Sequence, residues 1–268
     1  MSLRKMNLVI GGALGLLILG IALTALIWTP FDPTRINILG RMQPPSAQHL
    51  FGTDEFGRDL LSRIMSGAWT SISVAFMTVV FSTLLGTVIG LVTGFYRGWL
   101  DRIVMLLNDV LLAFPGILLA LGLAVVMGAG KLGIVLALGT AYTPKIVRIV
   151  RGTVMSLRQR EFIEASRALG NGSLYTIFRH VLPNAIAPIA IFATSMFGWV
   201  ILAESALSFL GLGVPPPAAT WGNMLSAARP YLSTVPLLSV IPGTFIALTL
   251  LSVNLLGDAL RDWLDPRM

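Results

Sequence analysis

The chain has 268 residues, of which 55% are hydrophobic and only 12% charged, and its mean hydropathy is +0.83. That balance excludes a water-soluble domain built on one core and indicates several membrane spans. The net charge is +7, but the cations are dispersed among apolar runs, which suits topology signals rather than a nucleic-acid surface.

Cysteine is absent, and the two histidines are far apart with no H-E-x-x-H, so disulfides, thiolate metal sites and a zinc hydrolase are also excluded. Leu8 to Trp28 is a run of 21 uncharged residues after Arg4 and Lys5. It is long enough to cross roughly 30 Å of hydrocarbon, and too long for a signal peptide, whose apolar region is about 7–15 residues. A proline-rich loop follows, Thr29 to Trp69. In its second half Leu60, Leu61, Ile64, Met65 and Ala68 form one apolar stripe, with Asp54 and Arg58, and Asp59 and Arg63, at i,i+4 spacing. Such pairs support a helix by about 0.2–0.5 kcal/mol each, and the pattern predicts a helix lying on the membrane surface.

Thr70 to Phe95 is a second span, with Gly86, Gly90 and Gly94 spaced for close helix packing. After a polar turn, Tyr96 to Arg102, the third span, Ile103 to Met127, contains Asp109 and Pro115. Leu132 to Val150 is the fourth, apolar only to Pro144; Lys145, Arg148 and Arg151 at three-residue steps predict that it emerges from the membrane there. A polar island then carries an amphipathic helix, Glu161 to Leu169, in which Phe162, Ala165 and Leu169 recur at i, i+3 and i+7. Gly170-Asn171-Gly172 breaks it, and a second segment ends at Leu182-Pro183. Ala185 to Leu210 is the fifth span and holds Glu204. An exposed loop, Gly211 to Thr234, contains Pro215-Pro216-Pro217 and Trp221-Gly222-Asn223-Met224-Leu225, and Val235 to Leu256 is the sixth span. A carboxylate inside a span is costly and faces protein or a water-filled path, so Asp109 and Glu204 are candidates for a pathway or gate; a hydrated or internally paired carboxylate near the interface is the other reading of each.

Glu164-Ala165-Ser166, Gly170 and Leu182-Pro183 resemble the E-A-A loop of ABC importer permeases, with Ser166 where a second alanine is usual and His180 where isoleucine is usual. G-T-D-x-x-G-R-D-x-x-S-R from Gly52 to Arg63, S-F-L-G-L-G-V-P-P-P-x-x-x-W-G-x-M-L from Ser208 to Leu225, and the tail Gly257 to Pro266 are similar to the dipeptide, oligopeptide and nickel branch of that superfamily. The resemblance implies an all-α membrane protein of the type I ABC importer permease fold, with six transmembrane helices and both termini cytoplasmic. It divides the chain into an N-terminal span with its extracytoplasmic segment (1–69), a five-span core (70–258) with the coupling loop at 151–184, and a cytoplasmic tail (259–268). Glu161, Glu164, Ala165, Ser166, Arg167, Leu169, Gly170 and Pro183 are then the coupling set. Glu164 meets a basic residue of an ATPase groove, Ala165 and Ser166 pack closely, Gly170 ends the coupling helix, and Pro183 sets the turn into the fifth span.

The same resemblance implies a second homologous permease, two cytoplasmic ATPase subunits that bind ATP and Mg, and an extracytoplasmic binding protein, all at a bacterial inner membrane. The chain itself carries no cofactor, and neither a metal nor nucleic acid is expected as a ligand. No G-x-x-x-x-G-K-[ST] is present; Gly130-Lys131 is followed by Leu132. On this six-span layout, 13 of the 19 basic residues fall on the side of the termini and the E-A-A loop, and the positive-inside rule makes that side cytoplasmic. That location also makes the glycosylation triplet Asn171-Gly172-Ser173 irrelevant. A membrane hydrolase would need a G-x-S-x-G or a Ser/His pair, and a self-sufficient channel a ring of pore charges; the sequence offers neither. Di- and oligopeptides and nickel or other metal chelates remain as substrate classes, and a passive scaffold is the alternative of another kind.

Overall fold

The computed structural model describes residues 3–264. They form α1 (Leu3–Thr24), α2 (Leu60–Tyr96), α3 (Gly98–Ala113), α4 (Gly116–Met127), α5 (Lys131–Leu157), α6 (Glu161–Ala168), α7 (Ser173–Thr176), α8 (Leu182–Phe209), α9 (Trp221–Ala228) and α10 (Leu237–Leu264). The centre of the bundle is the pair α2 and α5, and glycine is the reason they meet so closely. A β-carbon placed on Gly86 would lie 2.5 Å from Ile146 Cβ, on Gly90 2.7 Å from Val150 Cβ, and on Gly94 2.9 Å from Val154 Cβ. Ser82 adds a buried bond, donating to the Gly139 carbonyl at 3.0 Å. Among lipid tails such packing, not the exclusion of water, holds helices together.

The register of these contacts also fixes topology. As α2 advances from Gly86 to Gly94, its partners on α5 advance from Ile146 to Val154, so the two helices run parallel. The chain between them must therefore cross back. It does so as a broken span, because α3 and α4 meet at 97° around Phe114 and Pro115. Proline lacks the N–H that would continue the ladder and pushes its predecessor into extended geometry, and Phe114 has φ −85° and ψ 140°. Five helices are long and apolar enough to span a membrane by themselves, and the bent pair brings the number of crossings to six. The start of α1 and the end of α10 thus lie on the side that carries α6.

Four expectations need correction. No surface helix covers the stretch after Asp54: residues 54–59 are a turn, and Leu60 opens α2, which runs unbroken to Tyr96, so the division at residue 69 falls inside a helix. Asp59 sets that start, accepting from Ser62 N at 2.8 Å and from Ser62 Oγ at 2.7 Å. The stripe of Leu60, Ile64, Met65 and Ala68 is buried in protein. The fourth span does not emerge at Lys145, since α5 continues to Leu157 and carries its cations inside. No turn marks Pro183: α7 passes through a π-helical segment, Ile177–Val181, straight into α8. The wider π turn accommodates a residue that has no N–H to donate. Finally, α10 extends to Leu264, so most of the predicted tail is helix; Asp265 and Pro266 of the tail phrase lie outside the described residues.

Candidate coupling surface and membrane pathway

α6 begins where Arg160 adopts extended backbone and ends where Gly170 takes φ +78°, a conformation that favours glycine. Asn171 N donates to the Ser166 carbonyl at 3.2 Å and Gly170 N to that of Arg167 at 2.9 Å, which satisfies the last carbonyls of the helix. The inner face is anchored by Ile163 and Ser166, both buried. Ser166 Oγ lies 3.2 Å from Thr176 Oγ1 and accepts from Asn171 Nδ2 at 3.2 Å, so the serine ties α6 to α7. Its hydroxyl has a use that an alanine could not supply.

The outer face is open. Glu161, Glu164, Ala165 and Gly170 are exposed, and Leu169 is 82% exposed. Neither glutamate forms an ion pair among the described residues. Arg167 turns back instead, its guanidinium 5.1 Å from the Phe95 ring centre at the end of α2. Phe162, Leu174, Tyr175 and Phe178 extend the surface and are exposed as well. An apolar patch rimmed by two free carboxylates is the pattern of a protein-docking face. The aromatic part of it, contributed by α7 and the π segment, was not anticipated; its signal was the aromatic spacing across Tyr175 and Phe178.

Within the bundle the two candidate acids part company. Asp109 forms a 2.5 Å ion pair with Arg148 of α5, and each side chain is 57% exposed. Asp101 holds Arg151 through two bonds of 2.6 and 2.7 Å, and Asn108 donates to the Pro144 carbonyl at 3.3 Å. Arg148 and Arg151 of α5 are therefore answered from α3. Glu204 is 0% exposed; Ser208 Oγ donates to its Oε1 at 2.7 Å, while its Oε2 and the neighbouring Ser205 Oγ have no hydrogen-bond partner among the described residues. It sits beside the seat of α9. Lys145, read from sequence as an exit marker, is instead held over two rings, its Nζ 4.9 Å from Tyr142 and 5.0 Å from Trp199.

The opposite end of the molecule is closed by two interlocked loops. Asp54 Oδ2 accepts from Arg58 Nε at 2.6 Å and lies 3.3 Å from Arg63 Nε, while its Oδ1 accepts from the Phe56 and Arg58 amides at 2.9 Å. Gly57 has φ +72°, and a β-carbon there would stand 1.8 Å from the Asn37 carbonyl oxygen. Asp59 pairs with His49 at 2.9 Å rather than with Arg63. In the second loop, Thr220 and Asn223 form a reciprocal cap on α9. Trp221 is fully buried, donating from Nε1 to the Ile64 carbonyl at 3.3 Å. Gly222 lets α9 lie against α8, since a β-carbon would be 2.5 Å from the Ser205 carbonyl oxygen.

A six-crossing helical bundle with an exposed short helix between α5 and α8 describes a polytopic membrane protein, and comparison with known proteins gives its kind. Residues 86–268 match the family described as binding-protein-dependent transport system inner membrane component, and the chain belongs to that family. It is 40% identical over 259 residues to a putative peptide transport system permease of Brucella suis biovar 1, covering 95% of this chain and 87% of that protein. Identity is likewise 40% to the glutathione transport system permease GsiD of Pectobacterium atrosepticum, covering 99% and 89% of the two chains. It is 42% to the dipeptide transport system permease DppC of Alkalihalophilus pseudofirmus, covering 92% and 82%. The fold is similar to that of a chain of the inward-facing MetNI methionine ABC transporter, with a TM-score of 0.62 at 16% identity over 75% of this chain and 96% of that one. The protein is a multi-pass inner-membrane permease, and its family name implies ATPase and binding-protein partners.

Proposed function

We propose that this chain forms half of the translocation pathway of an ATP-driven importer of di- and oligopeptides. A second, related permease supplies the other half, an external binding protein delivers the peptide, and two cytoplasmic ATPase subunits bind ATP and Mg. The observation that carries the reading is the surface of α6: two unpaired glutamates and an exposed apolar patch, presented on a helix whose inner face is locked to α7. Glu164 meets a basic side chain of the ATPase groove, Glu161 and Ala165 lie against its wall, and Leu169 enters an apolar depression. Gly170 ends the helix so that this face stays short. Ser166, Arg167 and Pro183 hold the loop to the bundle from behind. Closure of the ATPases then pushes α6, and α5 and α8, which flank it in the chain, rock together from inward-open to outward-open, the population being shifted by ATP and by the loaded binding protein. Asp109 with Arg148 faces the pathway, and Glu204 steadies α9 at its outer end.

Peptide is the substrate class because the relatives named above transport peptides, dipeptides and glutathione, itself a peptide. Uptake of a labelled dipeptide into proteoliposomes holding both permeases and both ATPases tests the reading. It is expected to require external loaded binding protein and ATP in the lumen, which represents the cytoplasmic side; uptake without ATP, or of nickel chelates only, would contradict it.

A further inference from the structure

Lys145 stands inside a span with no ion-pair partner among the described residues. It is the fifteenth of the 27 residues of α5, which puts it about 20 Å from either end of a helix long and apolar enough to cross a membrane. Its stem is too short to reach headgroups from there. Arg148 and Arg151 of the same helix are paired with Asp109 and Asp101, but Lys145 has no carboxylate within ion-pair distance among the described residues. Tyr142 and Trp199 offer only their ring faces, at 4.9 and 5.0 Å, and Trp199 is braced edge-on by Phe192 at 5.7 Å. The two ring faces cover the ammonium on one side only, and an ammonium inside a span ordinarily faces water or an opposite charge as well.

The exposed face around it is built for water. Trp199 is 43% exposed, and the side chains of Arg148, one turn further along α5, and of its α3 partner Asp109 are each 57% exposed. Charged groups standing open at this depth face a hydrated path, since the same face turned to lipid would leave them unsolvated. Asp109 cancels Arg148, and the surplus charge of the patch is that of Lys145. Tyr142 and Lys145 lie on α5 and Trp199 on α8, the two helices joined by the coupling loop, so displacement of α6 alters the cage itself.

We propose that Lys145, presented by Tyr142 and Trp199, is the cation that meets a carboxylate of the passing substrate at mid-membrane. For a peptide this is the C-terminal carboxylate. The contact is weak by construction, because the rings keep hold of the ammonium and the substrate can leave, as passage requires. This assignment rests on the importer reading and adds to it a specificity-determining group.

The sequence contains no cysteine, so Lys145→Cys places a lone thiol at the site. The complete transporter, its other subunits made cysteine-free, is reconstituted in proteoliposomes and supplied with labelled alanyl-alanine on its binding protein. Lys145→Met and Lys145→Cys are expected to lower uptake roughly tenfold while binding-protein-stimulated ATP hydrolysis stays within about twofold of wild type, with Lys145→Arg retaining uptake. Attaching a positively charged aminoethyl group to the cysteine through a methanethiosulfonate should restore uptake, and the sulfonatoethyl reagent should not. The proposal is overturned by normal uptake in Lys145→Met, by a cysteine inert to both reagents with and without ATP, by equal rescue from both, or by parallel loss of uptake and ATPase stimulation. Absence of dipeptide uptake by the wild-type complex would instead overturn the importer reading beneath it.

Discussion

Asp54 shows how much one side chain can organise. It binds two buried guanidinium groups, those of Arg58 and Arg63, and two backbone amides. Replacing it by asparagine leaves both cations buried beside a neutral amide, a change that costs about 3–5 kcal/mol when a buried ion pair loses one partner. Asp54→Asn should therefore lower the thermal midpoint of the detergent-purified chain far more than removal of the exposed Asp109. Gly57→Ala should cost on the order of 1–3 kcal/mol in the same assay, because φ is +72° and the Asn37 carbonyl oxygen occupies the space. Glu55 adds a pH signature. Burial raises its carboxyl above the ordinary glutamate value of 4.5, outweighing Arg58 and Arg63. A raised acid contributes stability only while protonated, below its unfolded value, and loses it as pH rises through the folded one. Glu55→Gln should consequently be the more stable protein at neutral pH, and the difference should shrink as pH falls toward 4.5. These roles also explain the phrase from Gly52 to Arg63. Its letters were legible as a recurring string, but the geometry was not, because i,i+4 spacing suits a helix and the same residues form a turn.

At the scale of elements, the parallel pair α2 and α5 carries the architecture. Gly90→Leu would drive side-chain atoms through Val150, whose Cβ is 2.7 Å from the position of an added carbon, and should prevent a stable complex from being purified. Gly90→Ala should give a destabilised but assembled one, about 1–3 kcal/mol weaker by thermal unfolding. The small-residue spacing was readable because helical periodicity is local. The cations of α5 were not, because their partners lie 39 and 50 residues away, and only the fold shows that an arginine in a span is answered by an aspartate. Pro183 misled for a related reason: a proline signals a break, and a π segment absorbs it. Trp221 is a further test of element docking. Trp221→Phe gives up one hydrogen bond to Ile64, about 1 kcal/mol, while Trp221→Ala also empties the space between α2, α9 and α10 and should cost about 3–5 kcal/mol.

For the whole molecule, six crossings put both chain ends on the side of α6, whose exposed face lies between α5 and α8 in the chain, where the proposed coupling to the ATPases would act on both spans. The positive-inside count that orients the chain includes three cations, Lys145, Arg148 and Arg151, that lie within α5. Without them the balance still favours the side of α6. Of the exposed face of α6, the carboxylate of Glu164 and the stop at Gly170 were legible in sequence, whereas the inward turn of Ser166 and the aromatic patch depend on how α7 folds back. The most direct test is ATP hydrolysis by the reconstituted complex, with both permeases, both ATPases and loaded binding protein, comparing wild type with Glu164→Ala and Gly170→Pro. Proline cannot adopt the φ of +78° found at residue 170, and alanine removes the exposed carboxylate. The account predicts that binding-protein stimulation falls roughly tenfold in both, or that the ATPases no longer assemble in the second. Wild-type stimulation in both variants would contradict it and place the transmission of ATP energy elsewhere in the chain.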